Sequence, residues 1–376
     1  MKVKFIDFER EYNFLKNQIS PRIEKIIKTG NFILGEELYK FEQRFAKLCN
    51  VRYAVGVNSG SDALFLALRT LGISSGDEVI VPSFTYTATA LAVAYTGAKP
   101  VFCDIELETF SLNPQDLLAK ISTRTKAIIV VHLYGHPALM PEILSIARKK
   151  HLAVIEDCAQ AHGAKWQNTD GKWQMVGGGG DVGCFSFYPT KNLGCYGDGG
   201  IVVTDDDSLY KKLLMLRDYG RKSKYKHVMI GYNSRLDTIQ AGILNIKLKY
   251  LNLWIKIRRK LAEIYNYNLG DIPEVITPQE RDGYYHGYHL YPLRVKFQRD
   301  KLYKYLNTIG IQCLIHYPIP CHLQPAFKYL GYKEGDLPNS ELMARQELSL
   351  PLYPFLQGKE IEYICSKIKK FFKRRI

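Results

Sequence analysis

The stretch FSFYPTKNLGCYGDGG, residues 185–200, sets a single lysine between an aromatic run and a glycine cluster. Phe185, Phe187, Tyr188 and Pro189 precede Lys191, so its amine is expected in partly dry surroundings. A desolvated amine has a lowered pKa and can attack an aldehyde. A plain loop lysine beside a turn would carry the same local sequence. In VNSGSDAL, residues 57–64, an apolar run ends where a helical pattern opens. Gly60 and Ser61 would there aim backbone N–H groups at an anion, although an ordinary helix cap by Ser59 or Ser61 reads the same way. Tyr86 in PSFTYTATA, residues 82–90, offers a ring that covers a flat ligand or fills the core. Asp157 ends the largely apolar AVIED, so it is expected to be semi-buried and to need a partner. A protonated ring nitrogen would serve, and so would the N–H groups of a helix start. In chain order these are an anion cradle, a ring cover, an acid and an amine. They match the phosphate, ring face, ring nitrogen and aldehyde carbon of pyridoxal 5′-phosphate. On that assignment Lys191 forms the Schiff base.

Positioning four such groups requires strands that end at one edge. YAVGV (53–57), EVIVP (78–82), KPVFCDI (99–105), KAIIVVHL (126–133), LAVIED (152–157), CFSF (184–187) and GIVVT (200–204) read as strands, with SDALFLALRTLG, TATALAVAYTG and ILSIARKKH as helices between them. The alternation predicts an α/β protein whose mostly parallel sheet is covered by helices, with its site outside the carboxyl ends of the strands. A helical pattern covers residues 234–268 and breaks at GDIPEV. Beyond it YHLYPLRV reads as a strand, RDKLYKYLNTIG as a helix, LIHYPIP as a short strand region and the tail as a helix. We expect a large domain over residues 1–245 and a smaller C-terminal α/β domain over 246–376.

The 376 residues are 46% hydrophobic, enough for a large core. The net charge of +15 lies partly in the tail KIKKFFKRRI and is otherwise dispersed, as in RKSKYKH. No nucleic-acid motif accompanies it, so we read a solvated basic surface, one that also suits a phosphate-bearing substrate. No run reaches the roughly 20 apolar residues of a membrane span, and the start MKVKFIDFEREYNFLKNQ has no secretory core. The eight cysteines are scattered without a CxxC pair, so neither a metal site nor a disulfide framework is expected and the cytoplasm is the expected compartment.

The landmarks FIDFEREY, TGNFILGEEL, NSGSDAL, VPSFTYTATA, VHLYGHPALM, IEDCAQAHGA, FSFYPTKNLGCYGDGG, GYNSRLDTIQAGIL and HYPIPCHLQPAF occur in this order over almost the whole chain. In them the chain resembles the DegT/StrS family of sugar-nucleotide aminotransferases. The resemblance implies the type I aminotransferase fold, with a seven-stranded sheet in the large domain, and pyridoxal 5′-phosphate as cofactor. It implies that Lys191 holds the cofactor and moves the proton, and that Asp157 pairs with the ring nitrogen. Gln160 would lie near the ring hydroxyl and Tyr86 on the ring face, with Gly60, Ser61 and Ser186 at the phosphate. Asn233 of GYNSRLD would reach the phosphate from the neighbouring subunit of a homodimer. Arg235 in the same stretch would meet a substrate carboxylate or phosphate, or be an ordinary structural arginine.

The implied reaction moves an amino group from L-glutamate to a keto-sugar nucleotide. Relatives that have become dehydratases carry histidine at the position of Lys191, which here favours amino transfer. FYPTKNLGCYGDGG resembles members that aminate C3 of 3-keto sugars, whereas members acting at C4 more often have histidine at the position of Tyr188. HYPIPCHLQPAF resembles the group using dTDP-3-keto-6-deoxyhexoses, which makes Tyr188, His316, Tyr317 and His322 candidate sugar or diphosphate contacts. Packing roles for the two histidines, a UDP-linked or 4-keto substrate, and a catalytically silent regulatory protein stand as alternatives. The stretch WQNTDGKWQMVGGGGD, residues 166–181, departs from the family's short turn, and its four glycines suggest a mobile hairpin or loop.

Overall fold

The seven apolar runs become the seven strands of one sheet: β1 (Tyr53–Val57), β2 (Glu78–Pro82), β3 (Lys99–Cys103), β4 (Thr125–Val131), β5 (Ala153–Asp157), β6 (Val182–Ser186) and β7 (Gly200–Thr204). This is a computed structural model that describes residues 1–373; the end of the basic tail, 374–376, lies outside the described residues. The strand order is β1-β7-β6-β5-β4-β2-β3. All neighbours pair in parallel except β7, which runs antiparallel to both β1 and β6. The strands read as unbroken apolar runs because both faces are covered. Alternate residues serve opposite cores: Ile128 and Val130 pack with helices Glu36–Cys49 and Met140–Lys150, and Ala127 and Ile129 with helices Gly60–Thr70 and Ala88–Tyr95. Because β7 alone is reversed, the carboxyl ends of the other six strands share one edge. Gly200, the first residue of β7, lies there between Val57 and Ser186.

A third core holds Leu261, Tyr265, Tyr291, Leu293, Leu302, Leu348, Ile361 and Ile364. It is built on a small sheet, Val275–Ile276, Tyr291–Val295 and Glu347–Leu350, covered by helices Arg299–Thr308 and Gly358–Lys373. The helical pattern over 234–268 proves to be two helices, Thr238–Lys247 and Leu251–Leu269. The break redirects the chain between cores: Leu251 and Ile255 still pack on the sheet, while Leu261 and Leu269 belong to the third core. LIHYPIP is no strand beyond a single bridge from Leu314 to Ser349. Pro318 and Pro320 lack the N–H groups a ladder needs.

The four glycines close on a buried carboxylate. The N–H groups of Gly177, Gly179 and Gly180 donate to the Glu156 carboxylate at 2.8, 2.8 and 2.7 Å. A Cβ on Gly180 would meet the Val154 carbonyl at 2.7 Å and one on Gly178 the Cys49 carbonyl at 2.8 Å. Only glycine lets the backbone close on the carboxylate. The preceding residues form a hairpin, Lys165–Gln167 with Trp173–Met175, joined by Tyr284–Tyr285. The nest fixes Glu156 on one face of β5 while its neighbour Asp157 points to the other.

Candidate active site

The shared edge opens into a cavity of about 550 Å³, lined among others by Gly60, Ser61, Tyr86, Asp157, Gln160, Ser186, Tyr188, Lys191, His316 and Tyr317. Each strand end contributes what its sequence carries. After β1, Ser59 caps helix Gly60–Thr70 through the N–H of Asp62. The N–H groups of Gly60 and Ser61 point out of the helix start with no acceptor among the described residues, which makes them donors for an anion. Ser186 ends β6 against them, so close that a Cβ on Gly60 would stand 2.5 Å from the Ser186 Cβ.

Asp157 ends β5 almost wholly buried. One carboxylate oxygen accepts the N–H of Ala159 at 3.1 Å, and the other the hydroxyl of Thr89 at 2.9 Å. Burial raises its pKa, opposed by the Ala159 and Thr89 hydrogen bonds and by the charge of Lys191. A cationic ring nitrogen beside it would restore the ionised form. Burial lowers the pKa of Lys191 to about 8, the charge of Asp157 working the other way. Among the described residues no carboxylate lies within ion-pair distance of its amine, so the amine is available for chemistry. Tyr86 is 61% exposed despite lying inside the cavity, so its ring is bare for a flat ligand. Gln160 is held at both ends: its oxygen accepts the N–H of Tyr134 at 2.8 Å, and its nitrogen donates to the Tyr317 hydroxyl at 2.9 Å. Tyr188 is 52% exposed at the mouth. An anion cradle, a bare aromatic face, a buried carboxylate and an unpaired amine fit a flat, cationic, phosphate-bearing aldehyde.

Three expected residues lie elsewhere in this chain. His322 is fully buried, with Nδ1 on Ser83 at 2.6 Å and Nε2 on Glu341 at 3.3 Å, so it is a packing residue and not a cavity contact. Arg235 is paired with Asp218 at 3.0 Å and stands over the ring of Tyr219, outside the cavity, so the expected substrate contact is not made within this chain. Asn233 is exposed on the surface, bridged to Asp218, and does not line its own chain's cavity. Other lining residues escaped the sequence reading. Thr89 clamps Asp157 from the neighbouring helix, Phe5 and Ile6 come from the chain start, and His289 comes from the C-terminal part with a buried Nδ1 that has no partner. Among the described residues one group, His132, Glu156 and Cys158, has metal-like spacing. Both imidazole nitrogens are already used, on the Ala138 N–H and on Glu156, which leaves no lone pair for an ion.

Comparison with protein families matches residues 13–369 to the DegT/DnrJ/EryC1/StrS aminotransferase family. The chain belongs to that family. A Streptomyces venezuelae relative named dTDP-3-amino-3,4,6-trideoxy-alpha-D-glucose transaminase is 43% identical over 373 residues, covering 99% of this chain and 97% of its own. A Geobacillus stearothermophilus relative named pleiotropic regulatory protein is 44% identical over 377 residues, 99% of each chain. The crystal structure of S. venezuelae DesV with a ketimine intermediate superposes with a TM-score of 0.95 at 43% identity, covering 98% of both chains. The fold is therefore that of the family's aminotransferases, and the catalytic class is a pyridoxal-phosphate-dependent aminotransferase. Among the described residues no helix is long and apolar enough to cross a membrane.

Proposed function

We propose that the enzyme transfers the amino group of L-glutamate to C3 of a dTDP-linked 3-keto-6-deoxyhexose, working as a cytoplasmic homodimer. The observation that carries this reading is the unpaired Lys191 amine, set beside a buried carboxylate in a chain so similar throughout to a dTDP-3-amino sugar transaminase. The eight cysteines, all free and buried, suit a reducing compartment.

The bound cofactor supplies an electron-withdrawing ring conjugated to the carbon that exchanges its proton. The chain supplies the rest. Gly60, Ser61 and Ser186 hold the phosphate, and Tyr86 covers one ring face and excludes water from it. Asp157 keeps a negative charge against the ring nitrogen, with Gln160 near the ring hydroxyl. The Lys191 amine takes the proton from Cα of glutamate and later returns one to C3 of the sugar; a pKa of about 8 lets one group do both near neutrality. Tyr188, His316 and Tyr317 face the sugar.

The absorbance spectrum tests the whole reading. L-Glutamate should remove the band of the lysine-bound cofactor, and a dTDP-linked 3-keto-6-deoxyhexose should restore it. Restoration only by a 4-keto or UDP-linked sugar would overturn the substrate. A protein that takes up no pyridoxal phosphate would support a regulatory role instead.

Two further outcomes bear on the cofactor contacts. Gly60→Ala forces a methyl into the contact with Ser186, an overpacking cost of about 1–3 kcal/mol at the phosphate site. Fluorescence titration of the apoenzyme should show pyridoxal phosphate binding weakened by roughly 10-fold or more; unchanged affinity would remove Gly60 from the cradle. If Asn233 reaches the phosphate across the dimer, Asn233→Ala weakens cofactor binding, and at a cofactor concentration that leaves that variant unloaded it and Lys191→Ala are each inactive but complement one another. Equal mixing should restore roughly a quarter of wild-type activity, since half the dimers are mixed and each has one intact site. No recovery would remove Asn233 from the cofactor contacts, since it does not line its own chain's cavity.

A further inference from the structure

We propose that Glu347 is a positioning residue which, acting through Ser349, sets the tautomer of His316 and so decides whether its Nε2 presents a lone pair or an N–H to the substrate. The proposal rests on the reading above only in taking the His316 side of the cavity as the sugar's.

His316 is held at three points. Its backbone N–H donates to one Glu347 carboxylate oxygen at 2.5 Å, its carbonyl accepts the Tyr134 hydroxyl, and its Nδ1 lies 2.9 Å from the Ser349 hydroxyl. The same hydroxyl donates to the other Glu347 oxygen at 2.5 Å. Glu347 and Ser349 are fully buried, so no water competes for these bonds. Nε2 has no protein partner among the described residues, and His316 lines the cavity.

The proton order along this chain is determined by Glu347. When it is ionised, the Ser349 proton is committed to the carboxylate, and the serine oxygen has only lone pairs to offer. Nδ1 must then carry the imidazole proton, and Nε2 is bare. When Glu347 is protonated, its one remaining acceptor for that proton is the Ser349 oxygen. The serine proton turns to Nδ1, and Nε2 carries the N–H. The imidazole stays neutral in both states, since burial lowers its pKa to about 4, with the Lys191 charge acting in the same direction. Burial pushes the Glu347 carboxyl up to about 8 against the Ser349 and His316 hydrogen bonds and the Arg299 charge, so both states are accessible. The other groups facing Glu347 are the Cys313 thiol and the Tyr134 and Tyr317 phenols, all raised by burial and neutral over this range; Lys191 and His289 face His316. Bare Nε2 accepts from a sugar hydroxyl; protonated Nε2 donates to a ring or carbonyl oxygen.

Glu347→Gln locks one state. The glutamine oxygen must accept the His316 N–H, so its amide donates to Ser349 and the serine proton goes to Nδ1 at every pH. In the holoenzyme with ¹⁵N-labelled histidine, the His316 signals are assigned by their loss in His316→Gln. At pH about 9.5 wild type should show the Nδ1–H form and Glu347→Gln the Nε2–H form. In Ser349→Ala, wild-type pH dependence of the tautomer should vanish. The same tautomer in wild type, Glu347→Gln and Ser349→Ala at that pH would overturn the proposal. Rates of the two half-reactions add a second readout at the same pH. Glu347→Gln should leave the glutamate half-reaction within about 2-fold and change the sugar half-reaction by about 10-fold, the scale of one reversed hydrogen bond; equal slowing of both would overturn a role confined to the sugar side. If wild type reacts with no keto-sugar nucleotide, the substrate reading fails while the tautomer comparison still decides the relay.

Discussion

Lys191→Ala is expected to abolish amino transfer, lowering turnover by about 10⁴-fold or more, without unfolding the protein. On the proposed roles the variant loses both the group that holds the cofactor and the base that moves the proton, and among the described residues no other lysine lines the cavity. Stability should move the other way. Folding lowers the lysine pKa from 10.5 to about 8, so the unfolded chain binds more proton between those values. Stability therefore falls as pH drops through that window and stays reduced below it. Removing the side chain removes this penalty, and the alanine apoenzyme should melt at or above wild type at pH 7. The same pKa predicts how wild-type apoenzyme captures pyridoxal phosphate. At pH 7 the neutral amine is about 300-fold more abundant than in an ordinary lysine, and capture should rise with pH to a plateau above about 8. Stopped-flow absorbance checks the profile and calorimetry the melting. Residual turnover above a hundredth of wild type would remove Lys191 from the chemistry.

The sheet was legible because each of its strands is a short, unbroken apolar run between turn residues, and the reactive groups sit where such runs end. Asp157 and Lys191 could be read locally for that reason. What surrounds them could not. Thr89 looks like any residue of a helical first turn, and only the β2–β5 geometry brings its hydroxyl to Asp157. His316 and His322 share one motif, yet the coil carries one along the cavity while the short helix Cys321–Leu323 folds the other beneath Ser83. Arg235 could not be read as paired, because Asp218 reaches it through the bridge to Asn233. The glycines 177–180 suggested freedom because local sequence counts missing side chains. It does not show a buried carboxylate more than 20 residues earlier that needs their N–H groups. The chain order of cradle, ring cover, acid and amine suggested a cofactor before any resemblance did, and one cavity brings Gly60, Ser61, Tyr86, Asp157 and Lys191 together.

Asp157→Asn isolates charge from shape. The asparagine oxygen can accept the Ala159 N–H, and its amide can donate to the Thr89 hydroxyl, so both contacts of the native side chain survive. On the proposed role what is lost is the negative charge that would stand opposite the ring nitrogen and keep the cofactor in its electron-withdrawing form. Turnover should fall by at least about 100-fold, equivalent to about 2.7 kcal/mol of barrier. The apoenzyme should respond in the opposite sense. The Asp157 charge raises the Lys191 pKa against burial, so neutralising it lowers that pKa further. The midpoint of cofactor capture should then move to lower pH, making the amine more reactive toward the aldehyde while the loaded enzyme becomes a poorer catalyst. A general loosening of the site would slow both steps together. Faster capture at pH 7 with slower turnover is the signature of a carboxylate that acts on the ring, and parallel loss of both would assign Asp157 to packing.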